Sequence, residues 1–334
     1  MKGMRRENRT GRANPMWAYI VRRLLLAIPT LLGVTVVVFL IMRVAPGDLA
    51  LMIICGPGGD CTFDQAALER IREELGLNKP LYVQYFDWLF GILTLDFGRS
   101  FFYNAEMSTL LARKAPLSLQ VGLMGLVFGS LLGIVGGVIA ALKQDTLTDY
   151  LIRGTAILGI SVPTFWSGMM LILIFVRMFD WIPRQGYIPL WEDPIANLAQ
   201  LVWPALIIGL GFLMGVPLRM MRATMLEVMR EDYVRTARSK GLKERVIIVR
   251  HAMRNALIPV LTLIGIFLPI TVTGLVVTEQ VFGLPGIGRM MVDAISQRDY
   301  PVVQLVVTLA GFAVVAANLG VDMLYGWLDP RIRY

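Results

Sequence analysis

The sequence predicts an all-α, polytopic membrane protein of about six spanning helices, because a span needs about 20 consecutive apolar residues and such runs recur along the chain. Two further observations agree. Hydrophobic residues make up 56% of the 334 and charged ones only 17%, with a mean hydropathy of +0.64, whereas soluble domains carry about 25% charged residues. Lys and Arg, moreover, gather in the segments that alternate turns between runs would place on one side.

The first run is 24–42, with Arg22 and Arg23 before it. It lacks a small-x-small cleavage site and reads as an uncleaved anchor, not a signal peptide. Residues 1–16 form a polar, basic tail without periodicity, the pattern of disorder. Met16 could be an alternative start, and the transmembrane domain is expected over 17–334. Further runs at 117–142, 152–176, 201–218, 256–278 and 302–327 complete the set.

Six spans put both termini on one side. That side carries 21 of the 32 Lys and Arg, so the positive-inside rule places both termini in the cytoplasm. The net charge of +8 then needs no nucleic-acid partner. It faces anionic lipid or an acidic cytoplasmic protein.

The outer loop 43–115 contains helical patterns at 63–75 and 82–93, fit either to dock a soluble partner or to cap the outer mouth. Cys55 and Cys61 flank Gly56-Pro57-Gly58-Gly59-Asp60 on the oxidising side, as a small disulfide loop or as two free thiols. With no other Cys and one His, a Cys/His metal site is not expected.

Within the second run, Gly125, Gly129, Gly133 and Gly137 recur every four residues and leave one helix face open to close backbone packing. Pro29, Pro163, Pro204, Pro217, Pro259 and Pro269 each remove a donor, and each either kinks or ends its helix or is simply tolerated, as membrane helices tolerate proline. Asp322, one turn after Asn318, is the clearest charge inside a run. It reads as half of a structural ion pair near the cytoplasmic end or as a functional acid.

The cytoplasmic loop 219–255 is the most informative segment. A short helix is expected over 231–238, with Glu231 and Asp232 at its positive end and Arg238 and Lys240 at its negative end. Gly241 is a helix stop, Leu242 an apolar knob, and 243–254 a second amphipathic helix. Such a piece could seat in a groove of a cytoplasmic protein or lie on anionic lipid. A last outer loop, 279–301, is turned sharply by Gly283, Pro285, Gly286 and Gly288. Glu279, Phe282, Asp293, Arg298 and Asp299 lie on it, as contacts to substrate or a binding protein or as an internally paired lid. Lone His251 reads as a surface or interface residue.

Residues 231–242 read EDYVRTARSKGL, followed by HAMRNALIPV at 251–260. This resembles the EAA loop of ABC importer permeases, with Arg235 and Thr236 standing where the general motif has Glu and Ala. It matches more closely the dipeptide/oligopeptide/nickel importer subfamily, where the loop reads EDYVRTARAKGL. The resemblance extends through Pro46-Gly47-Asp48, Leu75-Gly76-Leu77-Asn78-Lys79-Pro80, Pro163-Thr164-Phe165-Trp166, Thr278-Glu279-Gln280-Val281-Phe282 and Asp329-Pro330-Arg331. It covers nearly the whole chain beyond Met16 and is that of the B-type permeases.

The resemblance implies a type I ABC importer permease fold in the inner membrane. It implies a homologous second permease, two P-loop ATPase subunits that carry the ATP and Mg, and an extracytoplasmic binding protein that delivers small peptides. Nickel chelates, glutathione and related solutes travel through permeases of the same pattern. Glu231, Asp232, Tyr233, Arg235, Thr236, Ala237, Lys240, Gly241 and Leu242 would form the ATPase-coupling site. The chain has no GxxxxGK[ST] loop, so it is expected to be non-catalytic and to hold no cofactor. A self-contained carrier would show related halves and midplane charges, and an intramembrane enzyme a facing catalytic set. Neither pattern is legible.

Overall fold

The computed structural model describes residues 15–44, 49–55, 61–62, 64–74, 76–273 and 275–328. The tail at 1–14, the Pro46-Gly47-Asp48 motif, the turn at 56–60 and the motif at 329–333 lie outside the described residues.

In chain order, α1 (Pro15–Val44) is followed by three short helices, α2 (Leu49–Cys55), α3 (Gln65–Glu74) and α4 (Leu81–Leu93). A two-stranded hairpin, β1 (Arg99–Ser100) with β2 (Ala105–Glu106), interrupts the otherwise helical chain and was not expected. Then come α5 (Met107–Leu142), α6 (Leu147–Ser161), α7 (Thr164–Phe179), α8 (Pro194–Ile208) and α9 (Met214–Val228). Next are α10 (Asp232–Ser239), α11 (Glu244–Val246), α12 (Met253–Thr273), α13 (Val276–Phe282), α14 (Ile287–Ser296) and α15 (Tyr300–Leu328). Among the described residues, five helical stretches are long and apolar enough to span, and six if the α6–α7 pair counts as one.

That pair corrects the expected third span. The run at 152–176 is two helices bent by 103°. Pro163 supplies no N–H and forces Val162 into extended backbone, φ −87° and ψ 125°. The fourth run is longer than expected. Asp193 caps α8 by accepting from the N–H groups of Ile195 and Ala196. A π-turn at Gly209–Leu213 joins α8 to α9 through a kink at Gly211. Since α9 runs to Val228, the first part of the expected loop 219–255 is helix. Its last part is helix as well, because α11 leads through a π-turn at Ile247–Ala252 into α12. The return helix is thus the beginning of the fifth span rather than a separate piece.

The glycine stripe of α5 packs against α8 and α9. A Cβ on Gly129 would stand 2.6 Å from the Gly209 carbonyl oxygen, and one on Gly137 would stand 2.6 Å from the Met221 Cβ. Gly125 meets Ile208, and Gly133 meets Met214 and Pro217. Close backbone approach along this seam supports the membrane core. Cys55 and Cys61 are joined as a disulfide, with Cα atoms 5.3 Å apart, which decides between the two readings of that pair. Asn318 is exposed on α15, and the Asp322 side chain lies outside the described ones.

Candidate functional site

At one end of the bundle, α10 projects from the turn after α9. Val234 and Ala237 are its only buried residues, and they pack with Ile247, Val228 and Met229. This contact is small and apolar, and everything else on α10 faces outward. Glu231 is the N-cap residue but makes no side-chain cap bond. Asp232 meets Arg235 at 3.4 Å, and the Thr236 hydroxyl donates to the Asp232 carbonyl at 2.9 Å. The Tyr233 hydroxyl accepts from Asn255 at 2.7 Å, which ties α10 to the first turn of α12.

The end of α10 is set by Gly241, whose φ of +72° is a left-handed conformation that glycine adopts without cost. The Leu242 N–H reaches back to the Ala237 carbonyl, closing the helix. Arg238 binds Glu244 at 2.8 and 3.3 Å across this turn, which raises the Arg238 pKa above its ordinary value. Leu242 remains 41% exposed, and Lys240 is exposed beside it. Nothing stands within 4 Å of where a Gly241 Cβ would lie, so only the backbone conformation restricts this position. An open groove of about 530 Å³ beside α10 is lined by Leu226, Glu227, Arg230, Glu231, Asp232 and Arg235. The expected coupling residues therefore form one surface, Ala237 excepted, which is the anchor beneath it.

The outer-mouth residues behave differently. Glu279 is fully buried. One carboxyl oxygen accepts from the Ser118 hydroxyl at 2.6 Å, and the other accepts from the Arg289 N–H at 2.8 Å. Ser118 in turn accepts from the Ile287 N–H, so the carboxyl group and a serine of α5 together cap the start of α14. Gly286 leaves room for this, since a Cβ there would stand 2.3 Å from the carboxyl. Phe282 is 3% exposed and Asp299 likewise, Asp299 accepting from Ser100 and the Phe102 N–H. Asp293 accepts from Tyr103 at 3.2 Å. Burial and Asp293 push the Tyr103 phenol up to about 12. Glu279, Phe282 and Asp299 thus fit the internally paired lid and are not open contacts, a correction to the contact reading. Arg298 alone of the five is exposed.

Sequence reading missed two buried polar groupings. Arg222 on α9 makes a bidentate pair with the fully buried Asp149 on α6, at 2.8 and 2.6 Å. Arg222 falls in helical step with buried Leu218 and Met225, which is the signal that could have found it. Near the outer side, Asn197 on α8 bonds Gln120 on α5 and the Ile188 carbonyl, and Tyr187 donates to Gln120. No local pattern announces that cluster. Among the described residues no group of His, Cys, Asp and Glu could hold a metal ion.

Residues 133–334 match the family described as binding-protein-dependent transport system inner membrane component, and 16–121 match the N-terminal region of such membrane components. A putative peptide transport system permease protein of Brucella abortus is 42% identical over 96% of this chain and 100% of its own length. The oligopeptide transport system permease protein AppB of Bacillus subtilis is 38% identical over 96% of this chain and 100% of its own. The dipeptide transport system permease protein DppB of Escherichia coli is 36% identical over 96% of this chain and 99% of its own.

Proposed function

The chain belongs to the binding-protein-dependent transport system inner membrane components, and from that premise we propose that it couples the import of small peptides to ATP hydrolysis on partner subunits through α10. The permease role and the peptide class rest on the relatives, which are peptide permeases over nearly full length. The observation that carries the coupling reading is the build of α10: an exposed surface on a small apolar anchor, ending in the exposed Leu242. A helix held by Val234 and Ala237 can shift as a unit when a partner grips it, and the continuous α11–α12 rod that begins two residues after Leu242 would carry the shift into the membrane.

The assembly this reading requires is a homologous second permease, two ATPase subunits with ATP and Mg, and a binding protein on the other side. The orientation that fits it has both termini and α10 in the cytoplasm, where the excess of Lys and Arg lies.

The test reconstitutes the full transporter and compares it with a Leu242→Asp form. Leu242 is exposed, so assembly should persist while peptide uptake and peptide-stimulated ATP hydrolysis fall together. Unchanged uptake would remove α10 from the coupling path. Ligands carried by the purified binding protein, identified by mass spectrometry, separate peptides from nickel chelates or glutathione.

A further inference from the structure

On the side of the membrane opposite α10, α4 lies against the end of α1. Phe39 packs on Tyr85 and Trp88 with ring centroids 5.4 and 5.9 Å apart, and the Thr35 and Tyr85 hydroxyls are 2.9 Å apart. Thr35 is about 13 Å below the end of α1, at about 1.5 Å rise per residue. This depth puts α4 level with the outer leaflet. Its opposite face exposes Tyr82, Phe86, Phe90 and Leu93, all more than 60% accessible. Aromatic side chains on such a face belong at the membrane–water boundary.

Behind α4, between the end of α1 and the start of α15, is a cavity of about 510 Å³. Among the described residues, Arg43 and Arg99 line it with one acid, Asp96. Gln84 is nine-tenths buried in its wall. Its amide nitrogen donates to the Leu77 and Lys79 carbonyls, but its Oε1 has no donor. Gln304, across the cavity on α15, has a buried Nε2 with no acceptor. Both atoms are closed off from the cavity, so the guanidinium groups are what an occupant meets.

We propose that this cavity holds the headgroup of an outer-leaflet anionic phospholipid. Its phosphate lies between the guanidinium groups of Arg43 and Arg99. The acyl chains continue along the exposed Leu40 and Ile41 of α1 and the aromatic face of α4. A free peptide would also bring an anion and amides. Lipid is favoured because the cavity sits at the ends of two spans, beside the exposed apolar faces of α1 and α4.

The full transporter, purified and washed with excess detergent, should retain a phosphatidylglycerol molecule that native mass spectrometry detects. The Arg43→Gln, Arg99→Gln double form should lose it by roughly tenfold or more. Arg70→Gln, on exposed α3, should leave retention unchanged. Equal retention in all forms overturns the proposal, since only non-specific lipid is then present. Displacement by inorganic phosphate alone, or by a dipeptide, overturns it too, because the site would then read phosphate or peptide.

Discussion

The pair Gly-Leu occurs at both ends of the molecule with the same local geometry and opposite surroundings. Gly241 and Gly283 have φ of +72° and +66°. In each case the following leucine N–H returns to a carbonyl five residues back, Leu242 to Ala237 and Leu284 to Glu279. Yet Leu242 is 41% exposed and Leu284 is 1% exposed. The backbone turn is therefore set by glycine at a helix end, and it decides nothing about whether the leucine is a knob or a plug. Tertiary neighbours decide that. Around Leu284 stand Leu117, Val121, Leu201 and Phe282, whereas Leu242 ends a helix whose only buried residues are Val234 and Ala237.

The sharpest break of this comparison substitutes both leucines. Leu284→Ala should cost about 2–5 kcal/mol, as large-to-small changes in a packed core do. Leu242→Ala should change stability by less than about 0.5 kcal/mol, as an exposed site does. Thermal unfolding of the two purified forms measures this directly. Uptake should invert the order once corrected for folded protein, with Leu242→Ala the more impaired. Equal stability losses would mean that the knob is packed after all.

Next in size is the carboxyl group that holds the outer lid. Glu279→Ala strands the Ser118 hydroxyl and the Arg289 N–H, each formerly bonded to an oxygen of the buried carboxyl group. Loss of roughly 1–3 kcal/mol is expected for leaving such buried donors unsatisfied. Gly286→Ala should produce a comparable loss with the acid still present, because its Cβ meets the same carboxyl. If Gly286→Ala is silent in a thermal unfolding experiment, Glu279 is not fixed where the lid needs it.

The turn itself comes third. Gly241→Ala and Gly283→Ala should each cost about 1–2 kcal/mol, the left-handed penalty of an ordinary side chain, and Gly241→Asn clearly less. Open space around Gly241 makes this a pure conformational test. Uptake that is restored by asparagine but not by alanine would tie coupling to the shape of the joint. Failure of both forms alike would point to a partner that needs the bare backbone.

Much of the fold is legible because membrane spans announce themselves by length and composition. The glycine stripe, the α10 boundaries and the Gly241 stop follow from local pattern and appear where expected. The break at Pro163 was written in the sequence too, but a proline inside an apolar run marks a kink without giving its angle. The outer lid was half legible: turn residues gave its bends, while the destination of Glu279 depends on Ser118, which is 161 residues away along the chain. Separation along the chain also hides the Asp149–Arg222 pair, 73 residues apart, and the cavity between α4 and α15. Periodicity reports which face is buried and not what lies opposite it.

The smallest effect expected is on the alkaline side of the lid. Tyr103 donates to Asp293, and its phenol is held up at about 12 by burial first and Asp293 second. An unfolded tyrosine ionises near pH 10. Between about pH 10 and pH 12 the folded protein therefore binds more protons at this site than the unfolded chain, so its contribution to stability falls as pH rises through that window. Tyr103→Phe removes the titrating group and should flatten that part of the profile while lowering stability slightly at neutral pH. Unfolding temperatures of both forms across that window measure the difference. Parallel profiles would show that the phenol does not hold the lid, and the contrast between a lid fastened by buried polar bonds and an α10 held by apolar contact would then rest on Glu279 and Asp299 alone.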